Sequence, residues 1–155
     1  AGEHAEAAIA LMLALDMKPV HVPGPVGRAS TIKMIRSVLV KGIEALTAEC
    51  FSAATIAGVA DEVAASLDAS QTKNGWEDQA AYNMERMTTH GIRRAAEMRE
   101  VAITLADLNI PGRMTAGTIA WQDQLGNLGL SLLDTEGLEP RLSAIHNALD
   151  AQKSD

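Results

Sequence analysis

The stretch that decides the fold runs from Gly24 to Gly58: GPVGRASTIKMIRSVLVKGIEALTAECFSAATIAG. From Ala29 to Ala57 it contains no proline, and Ile32, Ile35, Leu39, Ile43, Leu46, Cys50 and Ala54 recur at spacings of three and four. That period predicts a helix of nearly thirty residues, roughly 40 Å long at 1.5 Å per residue. Such a length exceeds what a small domain needs for itself and suits a central or intersubunit helix. Gly58 is placed to be the residue just past the C-cap. Gly42 interrupts the helix at a cost of about 1 kcal/mol relative to Ala, so close packing against another helix is expected there.

The start of the stretch carries the chemistry. Gly24 and Gly27 sit three apart, and Lys33 follows one turn into the helix. Glycines let backbone amides approach a substrate, and an amine drawn partly out of water can serve as a base. Ser37 lies four residues beyond Lys33, and Arg36 is adjacent on that face. Amine, hydroxyl and guanidinium together suit the seat of a hydroxy acid. The bland alternative is a solvated lysine in the first turn, where its charge opposes the helix dipole.

Outward from this segment, residues 3–16 read as a helix with Glu3 and Glu6 near its N-terminus, and Lys18–Val22 as a short extended strand ended by Pro23-Gly24-Pro25. Downstream, the pattern predicts helices over Ala60–Ser66, Trp76–Thr89, Ile92–Leu108, Met114–Leu133 and Leu138–Ala151. Gln71–Gly75 reads as a loop, Asn109–Gly112 as a stop and Asp134–Gly137 as a turn. The 155 residues are 47% hydrophobic but only 3% aromatic, which favours close-packed helices over a sheet.

A formal charge of −7 argues against non-specific nucleic-acid binding. No uncharged apolar run reaches about 18 residues, so no membrane span is expected. The N-terminus lacks a signal-peptide pattern, and the lone Cys50 reads as a buried, inert thiol, so a cytoplasmic setting is expected. Trp76 and Trp121 are expected as core or interface anchors, and the methionines as gap fillers between helices. No Glu-x-x-His, zinc spacing or nucleophile elbow occurs, so no metal is expected.

A second cluster, His90-Gly-Ile-Arg93-Arg94-Ala-Ala-Glu97-Met-Arg99-Glu100, places His90, Arg94 and Glu97 on one helical face, with Arg93 and Glu97 four apart. By periodicity alone it is a solvated, ion-paired helix.

The order G-x-x-G-x-(G/A)-x-x-x-K resembles the substrate-binding and catalytic-lysine segment of the β-hydroxyacid dehydrogenases, the group of 6-phosphogluconate and 3-hydroxyisobutyrate dehydrogenases. Lys33-Met-Ile-Arg-Ser37 and Lys41-Gly-Ile-Glu44-Ala45 are similar to a divergent branch with K-M-x-R-S-x-x-x-K-G-x-E-A, and H-x-x-R-R-x-x-E-M is similar to its second motif. Ser37 departs from the usual Asn, and Ala29 from a third glycine.

The resemblance implies a mainly α-helical domain over 27–155, preceded over 1–26 by a helix–strand remnant of a Rossmann domain. It implies Lys33 as general acid/base, and Gly24, Gly27 and Ser37 holding a small hydroxy acid. Arg36 and Arg94 would offset its charge, His90 and Arg94 would bind its anion or brace Lys33, and Glu97 would orient them. NAD or NADP would be bound mainly by a Rossmann domain whose fingerprint is missing here, so the 155 residues alone are expected to lack hydride transfer. Homodimerisation through the long helix is also implied. The competing readings are a non-catalytic helical interaction module and an imine- or carbonyl-reducing relative on the same scaffold.

Overall fold

A computed structural model describes residues 3–70 and 74–153. Six helices occur among them: α1 (Ala5–Ala14), α2 (Arg28–Ala57), α3 (Ala60–Ser70), α4 (Trp76–Asp107), α5 (Arg113–Gly126) and α6 (Leu138–Gln152). The chain divides into two compact units, with the division inside α2 between Thr47 and Ala48.

The first unit holds α1 and the N-terminal part of α2. Residues 17–23 carry no ladder, so the strand expected over Lys18–Val22 is absent. A lone extended segment finds no partner for its amides and carbonyls. Helix α1, AEAAIALMLA, is apolar around most of its circumference, and only Ala5 and Ile9 are half-buried. It ends with Asp16 at a positive φ of 55°, while Asp16 N–H bonds to Leu13 and Met17 N–H to Met12. This is the paired-bond C-cap of a Schellman motif, with aspartate rather than glycine in the left-handed position.

α2 matches its expected bounds, and Gly58 closes it at a φ of 72°. Its amide bonds to Thr55 and that of Val59 to Ala54, the same double closure. Around Gly42, no atom lies within 4 Å of where a Cβ would stand, so the close helix packing expected there is not made by the described residues.

In the second unit, α4 packs against α5 and α6. The two helices expected over Trp76–Thr89 and Ile92–Leu108 are one helix of 32 residues. Gly91 does not break it because it serves packing. A Cβ at Gly91 would stand 2.8 Å from Gly126 Cα, and one at Gly126 would meet Gly91 Cα at 2.9 Å. Two helical backbones therefore touch at a glycine–glycine crossing, which no larger residue permits. The Asn109 stop is realised at a φ of 55°, with Asn109 N–H on Ala106 and Ile110 N–H on Leu105.

α5 ends at Gly126, well short of the expected Leu133. Asn127 turns its amide onto the Asp123 carbonyl at 2.8 Å, and Gly129 follows at a φ of 66°. The freed segment sends Leu132 into the core with Leu125 and Ile145, flanked by Met84, Met87, Leu128 and Leu149. Met84 and Met87 pack against this core as expected of the methionines, whereas Met12, Met17 and Met34 are exposed. Trp76 and Trp121, at 66% and 57% exposure, do not enter the core, and Cys50 is exposed rather than buried. α3 runs four residues past Ser66, and residues 71–73 of the expected loop lie outside the described residues.

Candidate functional site

In the first unit, the glycine loop has the backbone its sequence demands. Gly24 and Gly27 take φ of 117° and 96°, values that L side chains rarely adopt. A Cβ on Gly24 would also stand 2.8 Å from Arg28 Cδ. The loop closes through Arg28 N–H on the Pro25 carbonyl, and α2 starts with Thr31 N–H on Gly27 at 2.9 Å. Lys33 is the sixth residue of that helix and is exposed, as is Arg36. The burial expected to activate Lys33 is not supplied by the described residues. Ser37 turns its hydroxyl back to donate to the Lys33 carbonyl at 2.8 Å, satisfying itself within the helix.

Further along the same helix, Ile35, Val38, Leu39, Gly42, Ile43 and Leu46 line an open apolar hollow of about 370 Å³. Their spacing forms one stripe down α2.

In the second unit, His90 and Arg94 are half-buried on α4, whereas Arg93 and Glu97 are exposed. Glu97 pairs with Arg93, not with His90 or Arg94, so the orienting role expected of it is not made. Arg86, one turn before His90, is also half-buried; its guanidinium carbon lies 5.8 Å from the Tyr82 ring centroid. The Nε of Arg86 is buried and has no hydrogen-bond partner.

Three further anchors in this unit gave no local signal. Gly112 stands before α5 and offers no side-chain cap. Glu49 of α2 supplies one from 65 residues away: its carboxylate accepts from Met114 N–H at 2.8 Å, from Thr115 N–H at 2.9 Å and from the Thr115 hydroxyl at 2.6 Å. Burial raises the Glu49 carboxyl, but the Thr115 hydroxyl and the amides of Met114, Thr115 and Arg113 outweigh it and hold the group below its ordinary value. Arg99 pairs with Asp123 between α4 and α5. Arg141 of α6 donates to the Ala81 carbonyl of α4 at 2.6 Å and to Thr135 at 2.7 Å. The one sequence clue was an uncapped glycine start at Gly112, which demands an acceptor from elsewhere.

Among the described residues no group of His, Cys, Asp and Glu could hold a metal, and no helix is long and apolar enough to cross a membrane.

Helices, caps and glycine crossing define a mainly α-helical protein. Residues 54–125 match the model of a domain of unknown function, DUF1932. That domain is the C-terminal helical domain of 6-phosphogluconate-dehydrogenase-like NAD-binding proteins, and residues 54–125 are similar to it. The match includes the His90–Arg94 cluster and most of the α4–α5 crossing but not Lys33. The chain is also similar to a solved conserved hypothetical protein from Sinorhizobium meliloti 1021, with 31% identity and a TM-score of 0.44. That alignment covers 95% of this chain and 50% of the other, so the chain spans about half the length of the protein it matches. No match to a curated protein was found.

Proposed function

We propose that these residues are the substrate-binding and dimerisation portion of an NAD(P)-dependent dehydrogenase acting on a small β-hydroxy acid. The domain belongs to a dehydrogenase-like superfamily, usually NAD(P)-binding. The observation that carries the reading is the left-handed backbone at Gly24 and Gly27 immediately before the helix bearing Lys33. A loop built on two such glycines can bring bare amides to its surface at the start of the helix that carries Lys33.

The proposal gives Lys33 the proton of the substrate hydroxyl, and gives the glycine loop and Ser37 the hold on the substrate. Ser37 can do so only by leaving the Lys33 carbonyl. Arg36 in the first unit and, separately, Arg94 and His90 in the second are each proposed to offset substrate negative charge, while Glu97 pairs with Arg93. Residues 1–26 are proposed to close a nucleotide-binding domain. In this superfamily NAD or NADP supplies the redox chemistry. The described residues include no strand leading into a glycine fingerprint, so they do not form a dinucleotide cradle, and their proposed part is limited to binding and proton transfer. Because Lys33 is exposed, its desolvation must come from substrate or from further protein covering the loop.

The test is Lys33→Met in a polypeptide that also carries a nucleotide-binding domain. Turnover should fall by about a hundredfold or more, the scale of a lost general acid/base, with thermal midpoint unchanged. Turnover within a few-fold of the parent would reject the role. That result would favour the non-catalytic helical interaction module.

A further inference from the structure

The second unit holds a row of cationic and N–H-donating side chains that its own carboxylates leave unanswered. Arg86, His90 and Arg94 follow one another at intervals of four on α4, about 6 Å apart along the axis, with each step turning by about 40°. All three are half-buried. Among the described residues, the arginine–carboxylate pairs are Arg93 with Glu97 and Arg99 with Asp123, so neither Arg86 nor Arg94 has a carboxylate.

Arg86 is the decisive member. Its guanidinium carbon lies over the Tyr82 ring, 5.8 Å from the centroid. A ring face attracts the cation but offers its N–H groups no oxygen acceptor. The Nε–H is buried with no acceptor. A buried charged donor without an acceptor costs more than an ordinary lost hydrogen bond, and native folds seldom leave one. The fitting acceptor is an anion presenting two oxygens to the edge of the fork, as carboxylates and phosphates do.

We infer that Arg86, together with His90 and Arg94, forms a seat for a small oxyanion, either a phosphate or a carboxylate group. Arg86 offers its edge for paired hydrogen bonds, His90 adds a ring nitrogen, and Arg94 adds a second guanidinium one turn beyond. The inference rests on the anion-binding role proposed above for His90 and Arg94, and extends it to Arg86 and to a ligand class. Arg93 is excluded because Glu97 already answers it.

The 155-residue chain is titrated with inorganic phosphate and, separately, with acetate, at constant ionic strength held by chloride. The side-chain N–H signals of the arginines and of His90 are followed by NMR. Saturable shifts at Arg86 and Arg94 are expected with at least one anion, and the tighter of the two names the group. Arg86→Gln should weaken that binding by about tenfold or more, the scale of a charge-assisted bond, while Arg93→Gln changes it by less than about twofold. Unchanged thermal midpoints establish that the variants remain folded. Shifts that never saturate with either anion, or an Arg86→Gln chain that binds like the parent, would overturn the site. Because the readout is binding rather than turnover, it is independent of whether Lys33 proves catalytic.

Discussion

Glu49 shows how a single residue's importance escapes local pattern. Within α2 it occupies one of many polar helical positions, and its neighbours Ala48 and Cys50 are exposed. Its worth comes from three donors clustered at the start of α5, where the positive end of the helix dipole also favours a carboxylate. Removing it as Glu49→Ala should cost about 1–2 kcal/mol, the range for a lost N-cap, measured by urea unfolding at neutral pH. The pH dependence has a definite sign. The folded carboxyl lies below its ordinary value, so the unfolded chain binds the proton more readily. Its stabilisation is complete above the ordinary glutamate value of about 4.3 and is lost as pH falls through the lower folded value. The gap between parent and Glu49→Gln should therefore narrow on acidification from pH 7 toward 3. A gap constant with pH would mean the charge contributes nothing. Gly24 and Gly27 lie at the other extreme of legibility, since a glycine pair at a helix start already announces left-handed backbone.

At the scale of elements, the helices were readable wherever periodicity met an ordinary stop. Gly58 and Asn109 closed α2 and α4 where the pattern failed, because a left-handed C′ residue is a local property. Gly91 misled because glycine within a helical pattern has two meanings, a break or a close approach, and only the partner helix separates them. The same ambiguity runs the other way at Gly42, which looked like a packing glycine yet faces open space among the described residues. The candidate sites differed in legibility: the glycine loop of the first unit was readable, but Arg86 of the second lacked any motif, and its unanswered donor is visible only in three dimensions. Alanine substitutions separate the two kinds of glycine. Gly91→Ala drives a methyl into the Gln122 carbonyl and the Gly126 backbone and should destabilise by about 3 kcal/mol or more, since a backbone cannot swing aside as a side chain can. Gly117→Ala, in α5 with nothing within 4 Å of the added carbon, should stabilise by about 0.5–1 kcal/mol. Equal effects in thermal or urea unfolding would show that α4 and α5 do not cross at that contact.

For the molecule as a whole, the question is what becomes of the apolar stripe on α2. Val38 is 77% exposed and Ile35 68%, and with Leu39, Ile43 and Leu46 they form one contiguous face. Contiguous exposed patches of this kind mark interaction surfaces far more than isolated apolar residues do. The dimer proposed above assigns a second copy to that face. Gly42 at the centre of the stripe is then explained, because two helices can approach closely only where one or both lack a side chain. The expected mass by sedimentation equilibrium is twice 16.4 kDa. Val38→Glu should return it to a monomer by placing a charge in the seam. Gly42→Ala sharpens the test, because its two effects have opposite signs. Within one chain the added methyl meets no atom and improves helix propensity by about 0.5–1 kcal/mol, whereas between two copies it would hold the helices apart. A dimer through this face therefore predicts that Gly42→Ala dissociates more readily on dilution while its monomer unfolds at higher urea. If the parent chain has monomer mass at every concentration, or if Val38→Glu remains dimeric, the stripe is not the seam between two copies.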